Sequence, residues 1–225
     1  CHLEFSRGAQ RPFFLDLHWS LDFKRGGVYL LPELWDRMRE IDAGGRKIKT
    51  LSPEDALFSL ALHNRRFAKA LCLKNIYDTA LLLYKYGNSF DWDYCLKMSK
   101  KYALGSCLYF ILAQAELLAE VKLPQNVWST LGLSPFKRKI IQGFIRKNSF
   151  PLSEKTGPNK YLYLRSHFLL YASFWEPLKY ILNIPQEQFA KYYSLRPYTT
   201  KTDILYHLRF FYMPFKAILG LLRNA

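Results

Sequence analysis

Residues 11–19 read Arg11-Pro12-Phe13-Phe14-Leu15-Asp16-Leu17-His18-Trp19, and the reading of this stretch decides the fold. It is rich in aromatics and carries no breaker after the proline, which predicts a β-strand. Alternation with a period of two puts Phe14, Asp16 and His18 on one face and Phe13, Leu15, Leu17 and Trp19 on the other. One face is wholly apolar; the other carries an acid and an imidazole. A mid-strand carboxylate among aromatics costs free energy unless it is paired or binds a metal. Its face-mates point to a cleft surface, although an ordinary acid on a solvated strand face satisfies the same pattern.

Working outward, residues 3–5 read as a preceding strand with Arg7-Gly8 as its turn. Residues 32–41 predict a short helix with Pro32 in its first turn. Ala43-Gly44-Gly45 is a turn and residues 46–51 a strand. Ser52-Pro53-Glu54-Asp55 is a helix start, with a Ser cap, proline at the first position and acids in the first turn. Helical spacing then continues almost to the end. Breaks fall at Tyr86-Gly87-Asn88, at Gly105 and at Pro124, with Asp91 or Ser89 capping the helix near 91–103. Helices follow at about 106–121, 125–131 and 134–147. Residues 148–159 hold the longest run of breakers and read as a linker. Two amphipathic helices are expected after it, at 160–182 and 203–223, joined by a segment with Pro185 and Pro197. Pro214 interrupts the second. The fold class is therefore α+β, a small β edge followed by a mainly α-helical bundle. The divisions are a sheet remnant at 1–51, a helical domain at 52–147, the linker, and basic C-terminal helices at 160–225 packed on the bundle.

Half of the 225 residues are hydrophobic, which excludes disorder and leaves enough for a sizeable core. The 16 tyrosines and 17 phenylalanines exceed what such a core needs, so some should line a groove or partner surface. The net charge of +15 is unevenly spread: residues 1–132 carry +4 and residues 133–225 carry +11. The second half thus suits an anionic neighbour such as nucleic acid, a nucleotide or a membrane face, or is simply a solvated basic face. The four cysteines form no CxxC pair and no zinc-spaced cluster with histidine. Three sit in apolar helical patterns, which suits a reducing cytoplasm. No run of 18 apolar residues predicts a membrane span. With no initiator Met and no signal pattern, the reading places Cys1 in mid-protein.

The run Phe14-Leu15-Asp16-Leu17-His18-Trp19-Ser20-Leu21 resembles a strand of an uncharacterised bacterial nucleotidyltransferase family. The similarity continues through Leu34-Trp35, Leu51-Ser52-Pro53-Glu54-Asp55, Leu60-Ala61-Leu62-His63, Asn75-Ile76-Tyr77-Asp78-Thr79-Ala80-Leu81 and Asp91-Trp92-Asp93, and reaches Ile184-Pro185-Gln186-Glu187-Gln188-Phe189. The resemblance implies the C-terminal part of a nucleotidyltransferase fold. That fold sets three carboxylates on adjacent strands around two Mg2+ ions, two of them from an Asp-x-Asp pair after a Gly-Gly or Gly-Ser turn. The metals must bridge a nucleoside triphosphate and activate the attacking hydroxyl together. By position Asp16 resembles the third carboxylate, and hence a catalytic residue and metal ligand. No Gly-Gly or Gly-Ser turn followed by Asp-x-Asp occurs here; Asp91-Trp92-Asp93 has the letters but opens a helix. The chain as cut is therefore expected neither to turn over nucleotide nor to hold Mg2+–ATP tightly.

Of the remaining candidates, His63 and Asp78 follow from the same resemblance and the others from their own chemistry and position. His63 and Asp78 fall at matched positions in adjoining helices, where an acid orients a catalytic imidazole or a polar pair locks two helices. His18 either contacts substrate phosphate or lines the groove. Arg65, Arg66 and Lys69 match phosphate oxygens or form a wet helix face. The basic tail interleaves charge with aromatics, as at Phe136-Lys137-Arg138-Lys139. That suits packing on the bundle, RNA binding or an interfacial membrane helix. The function expected is nucleotidyl transfer from a nucleoside triphosphate to a hydroxyl acceptor. The alternative is a non-catalytic basic helical module that binds RNA or a protein. Acceptor and oligomeric state are not encoded in any recognisable motif.

Overall fold

A computed structural model describes residues 2–7, 13–18, 31–67, 73–148, 168–173, 175–176, 179 and 184–222. The chain forms two compact units, Cys1–Ala172 and Ser173–Ala225. The class is α+β, with small antiparallel hairpins leading into helices.

In the first unit, β1 (His2–Arg7) pairs antiparallel with β2 (Phe13–His18). Helix α1 (Leu31–Asp36) is followed by β3 (Arg39–Asp42) and β4 (Lys47–Thr50), a second antiparallel pair. The helix expected over 32–41 thus stops at Asp36, and its last residues are strand. Local spacing favoured helix, but Gly44 and Gly45 adopt φ of +66° and +80°, and the Gly45 amide donates to Asp42 Oδ1 at 2.7 Å. This turn folds residues 47–50 back to supply ladder partners for Arg39–Asp42, which outweighs a weak local preference.

Helix α2 (Pro53–Phe67) starts where its signals placed it. Ser52 Oγ accepts from the Asp55 amide at 3.2 Å and donates to Asp55 Oδ2 at 2.7 Å, a reciprocal cap. Helix α3 (Leu73–Tyr86) ends in a 3-10 turn at Gly87–Ser89. Helix α4 (Trp92–Lys101) is capped by Asp91, whose side chain accepts from the Tyr94 amide at 2.9 Å. Helix α5 (Gly105–Ala119) is buried at every position from Ser106 to Ala115. It is the bundle's central rod, as a helix apolar on all sides should be. Gly105 suits its start, since a Cβ there would meet the Leu131 carbonyl oxygen at a tight 3.1 Å. Helices α6 (Gln125–Thr130) and α7 (Pro135–Asn148) complete the described layer. The core joins Leu57, Phe58, Leu62, Leu83, Cys95, Phe110, Leu112, Ile141 and Ile145.

The second unit holds α8 (Gln186–Tyr192), α9 (Thr200–His207) and α10 (Arg209–Leu222). Its centre is Phe189, fully buried, with ring contacts to Tyr193, Tyr206 and Tyr212 at 4.9, 5.6 and 6.0 Å. The single helix expected over 203–223 begins at Thr200 and breaks at Leu208, with Pro214 inside α10. Thr199 caps it, accepting from the Thr202 amide at 3.3 Å. The expected linker 148–159 lies outside the described residues apart from Asn148, and the expected helix at 160–182 lies largely outside them.

Candidate active site

Asp16 and His18 sit at alternate positions of β2, as the strand reading requires. The register sets Glu4 opposite Asp16 and His2 opposite His18. Directly opposed residues of an antiparallel pair are the closest cross-strand neighbours. The register therefore sets Glu4 and Asp16, and His2 and His18, at consecutive positions of one hairpin face. Sequence reasoning saw half of this set. Glu4 and His2 were hidden because register depends on the connection between Arg7 and Phe13, which no motif specifies.

Helix α2 carries the next group. His63 is exposed, whereas Arg65 is buried, with its guanidinium 5.0 Å from the centre of the Tyr171 ring. Arg66 lies in the last turn of α2; Lys69 lies outside the described residues. On α3, half-buried Asp78 accepts from Lys74 Nζ at 2.6 Å one turn earlier. The buried polar link between the two helices passes through neighbouring residues. Asn75 Nδ2 donates to Asn64 Oδ1 at 3.1 Å, and Asn64 Nδ2 donates to Gln114 Oε1 of α5 at 3.3 Å.

A dense polar cluster lies at the start of α2. Glu54 and Asp55 are 4% and 0% exposed, yet both carboxylates are partnered. Arg37 Nη2 donates to Glu54 Oε2 at 2.9 Å, and the Asp91 amide donates to Glu54 Oε1 at 3.0 Å. Tyr94 Oη donates to Asp55 Oδ1 at 2.8 Å, and Arg37 Nε lies 3.6 Å from Asp55 Oδ2. The Arg37 guanidinium stacks 3.7 Å over the Tyr94 ring. Burial works against its charge, but Tyr94, Glu54 and Asp55 outweigh that and hold it above its ordinary pKa. Beside them the Cys95 thiol is pushed up, first by burial and then by Glu54, Asp55 and Asp91. It is a core residue with no thiolate to offer. The sequence flagged Ser52–Asp55 only as a helix start. Arg37 arrives from 17 residues away, and no local signal reveals such a partner.

Among the described residues no group of three or more His, Cys, Asp or Glu side chains is assembled that could hold a metal ion. A groove of about 600 Å3 opens between α5, α6 and α7, walled by Tyr109 and Trp128 with Glu116, Arg138 and Gln142 at its polar side. Gln142 Nε2 donates to Tyr109 Oη at 3.0 Å, and burial pushes the Tyr109 phenol up.

Neither a search of curated proteins nor one of solved structures finds a match. A family model does. The pattern built on the β1–β2 hairpin, the Ser52–Asp55 helix start and helices α2 to α5 coincides with the model for an uncharacterised nucleotidyltransferase, matched over residues 1–120. That span covers more than half of the chain, which therefore belongs to the uncharacterised nucleotidyltransferase family.

Proposed function

We propose that this nucleotidyltransferase family member serves metal-dependent transfer of a nucleotidyl group from a nucleoside triphosphate to a hydroxyl acceptor, with Asp16 as a carboxylate that reaches the metal. The single observation that carries this reading is the hairpin register, which places Glu4 beside Asp16 and His2 beside His18. Hard oxygen donors on opposed strand positions suit Mg2+, which accepts one or two carboxylates and completes its shell with water and phosphate oxygens. When bound, the metal polarises the triphosphate and lowers the pKa of the attacking hydroxyl. His18 would meet a phosphate. His63, exposed on α2, would face substrate, with Asp78 orienting it and Arg66 and Lys69 supplying charge for the triphosphate. The groove beside Tyr109 and Trp128 offers aromatic walls and polar groups to an acceptor.

Residues 1–225 contain no Gly-Gly or Gly-Ser turn followed by Asp-x-Asp, so a two-metal geometry needs carboxylates from outside them. Three experiments follow. Calorimetric titration of residues 1–225 with Mg2+–ATP should give weak binding, and tight binding contradicts this reading. In the intact gene product, Asp16→Asn should lower Mg2+-dependent transfer from an α-labelled nucleoside triphosphate by on the order of 100-fold or more. Retained transfer removes Asp16 from the metal. A salt-dependent tRNA shift that survives Asp16→Ala, in a protein without transfer, would identify a binding module instead.

A further inference from the structure

Helices α9 and α10 turn one face to the core of their unit and carry exposed apolar residues on the other. Tyr206, Tyr212 and Met213 face inward, with the two tyrosine rings on Phe189 and Met213 only 9% exposed. On the other side Ile204, Leu208, Phe211 and Phe215 are 54%, 51%, 79% and 58% exposed. Their spacing of four, three and four residues makes one continuous stripe, and the sequence repeats it at Ile218 and Leu222. The break at Leu208 does not dephase the stripe, because the Leu208 amide still bonds the Ile204 carbonyl at 2.9 Å and the Tyr212 amide the Leu208 carbonyl at 2.9 Å.

Cations flank this stripe. Arg209 and Lys216 recur seven residues apart, with Arg223 next in sequence, about 100–140° round the helix from the stripe at ~100° per residue. The Arg209 guanidinium lies 4.4 Å over Tyr206 and 4.6 Å over Phe210, and Lys216 Nζ is 5.8 Å from the Tyr212 ring. The Arg209 head also donates to the Tyr206 carbonyl at 3.0 Å, so the charged groups stand to one side of the stripe with their apolar stems along the helix. Asp203 is the sole acid in residues 200–222, and the Gln186 amide donates to it.

We propose that α9–α10 lies on an anionic lipid surface, with Ile204, Leu208, Phe211 and Phe215 at the boundary of headgroups and acyl chains and Arg209 and Lys216 at phosphate level. Charge complementarity selects this occupant. A second copy would bring like charges together on a chain of net charge +15. RNA bases stack on Phe faces but gain nothing comparable from Ile204 and Leu208. The helix lies in the plane and does not cross it: its 14 residues span roughly 21 Å, against a hydrocarbon core of about 30 Å. Among the described residues no helix is long and apolar enough to cross a membrane. The inference is independent of Asp16 and its chemistry.

The test is co-sedimentation of the full chain with phosphatidylcholine vesicles, with and without phosphatidylserine. Binding should be at least about tenfold tighter with the anionic lipid and weaken as salt rises. Phe211→Ser/Phe215→Ser should lose about tenfold or more, and Arg209→Gln/Lys216→Gln about fivefold per cation removed. Phe211→Trp gives a second reading that needs no disruptive change: its emission should shift to the blue only when anionic vesicles are added. Absent binding, equal binding to both vesicles, or an unmoved tryptophan overturns the proposal. So does a lipid-independent dimer that Phe211→Ser/Phe215→Ser dissociates, or tRNA binding without vesicle binding.

Discussion

Arg37→Met removes a guanidinium and keeps a side chain of comparable reach, so it isolates the contribution of the charge cluster at the start of α2. Stripping one partner from a buried ion pair costs roughly 3–5 kcal/mol. The Arg37 side chain is 31% exposed, and water at its outer edge screens the contact, which reduces the loss to roughly 2–3 kcal/mol. The bonds from the Asp91 amide and from the Ser52 and Tyr94 hydroxyls survive, so the carboxylates are left under-compensated but not bare. In a domain of this size each kcal/mol moves Tm by about 2–4 °C. Scanning calorimetry at neutral pH should therefore show a melting point lower by about 5–10 °C. Arg37→Lys should fall between, because it keeps the charge but loses the fork and the stacking on Tyr94. A variant that melts with the wild type refutes the account of Glu54 and Asp55 as held by Arg37.

Two further stability outcomes follow from the same unit. Asn64→Leu leaves the amides of Asn75 and Gln114 without their shared partner in the core, and should cost about 2–3 kcal/mol in urea unfolding; an unchanged midpoint would mean the amides re-pair. Lys101 first, then Tyr102, holds the Glu33 carboxyl below its ordinary pKa by hydrogen bonds. Its stabilising effect is thus complete above the unfolded value, near 4.3, and fades as pH falls through the lower folded value. Urea midpoints of wild type and Glu33→Gln should differ slightly at neutral pH and converge in acid, and a difference that grows in acid would reverse the sign.

What the sequence made legible was local. The strand at Phe13–His18, the Ser52-Pro53 helix start and the Asp91 cap each rest on residues within a few positions, and the structure realises all three. What it hid depends on partners far along the chain. The strand Arg39–Asp42 exists because Lys47–Thr50 returns beside it. Helix α8 falls in the segment with Pro185 and Pro197 that reads as a connection between two helices, although proline suits the residue just before a helix. The same division holds at the candidate site. Asp16 was visible, as a polar residue out of place in an apolar strand. Glu4 opposite it, and Arg37 at Glu54, could not be read without knowing how two loops close.

These hidden partners bear on how the candidate site is built. Helix α2 is clamped at its first turn by Arg37, Asp91 and Tyr94, and at its last turns by Asn64 to Gln114 and by Arg65 against Tyr171. His63 lies between these anchors, exposed on a helix that is fixed at both ends. A side chain that must meet a substrate gains little from its own contacts and much from such rigid support. If His63 faces substrate, the cluster at Glu54 and Asp55 is a positioning device about 12–14 Å along the helix. Arg37→Lys should then raise KM or lower kcat in the intact gene product well below its melting range, while His63→Gln should do so with Tm unchanged. Transfer kinetics that follow thermal stability alone in both variants would reduce the cluster to a fold element and leave His63 a surface residue.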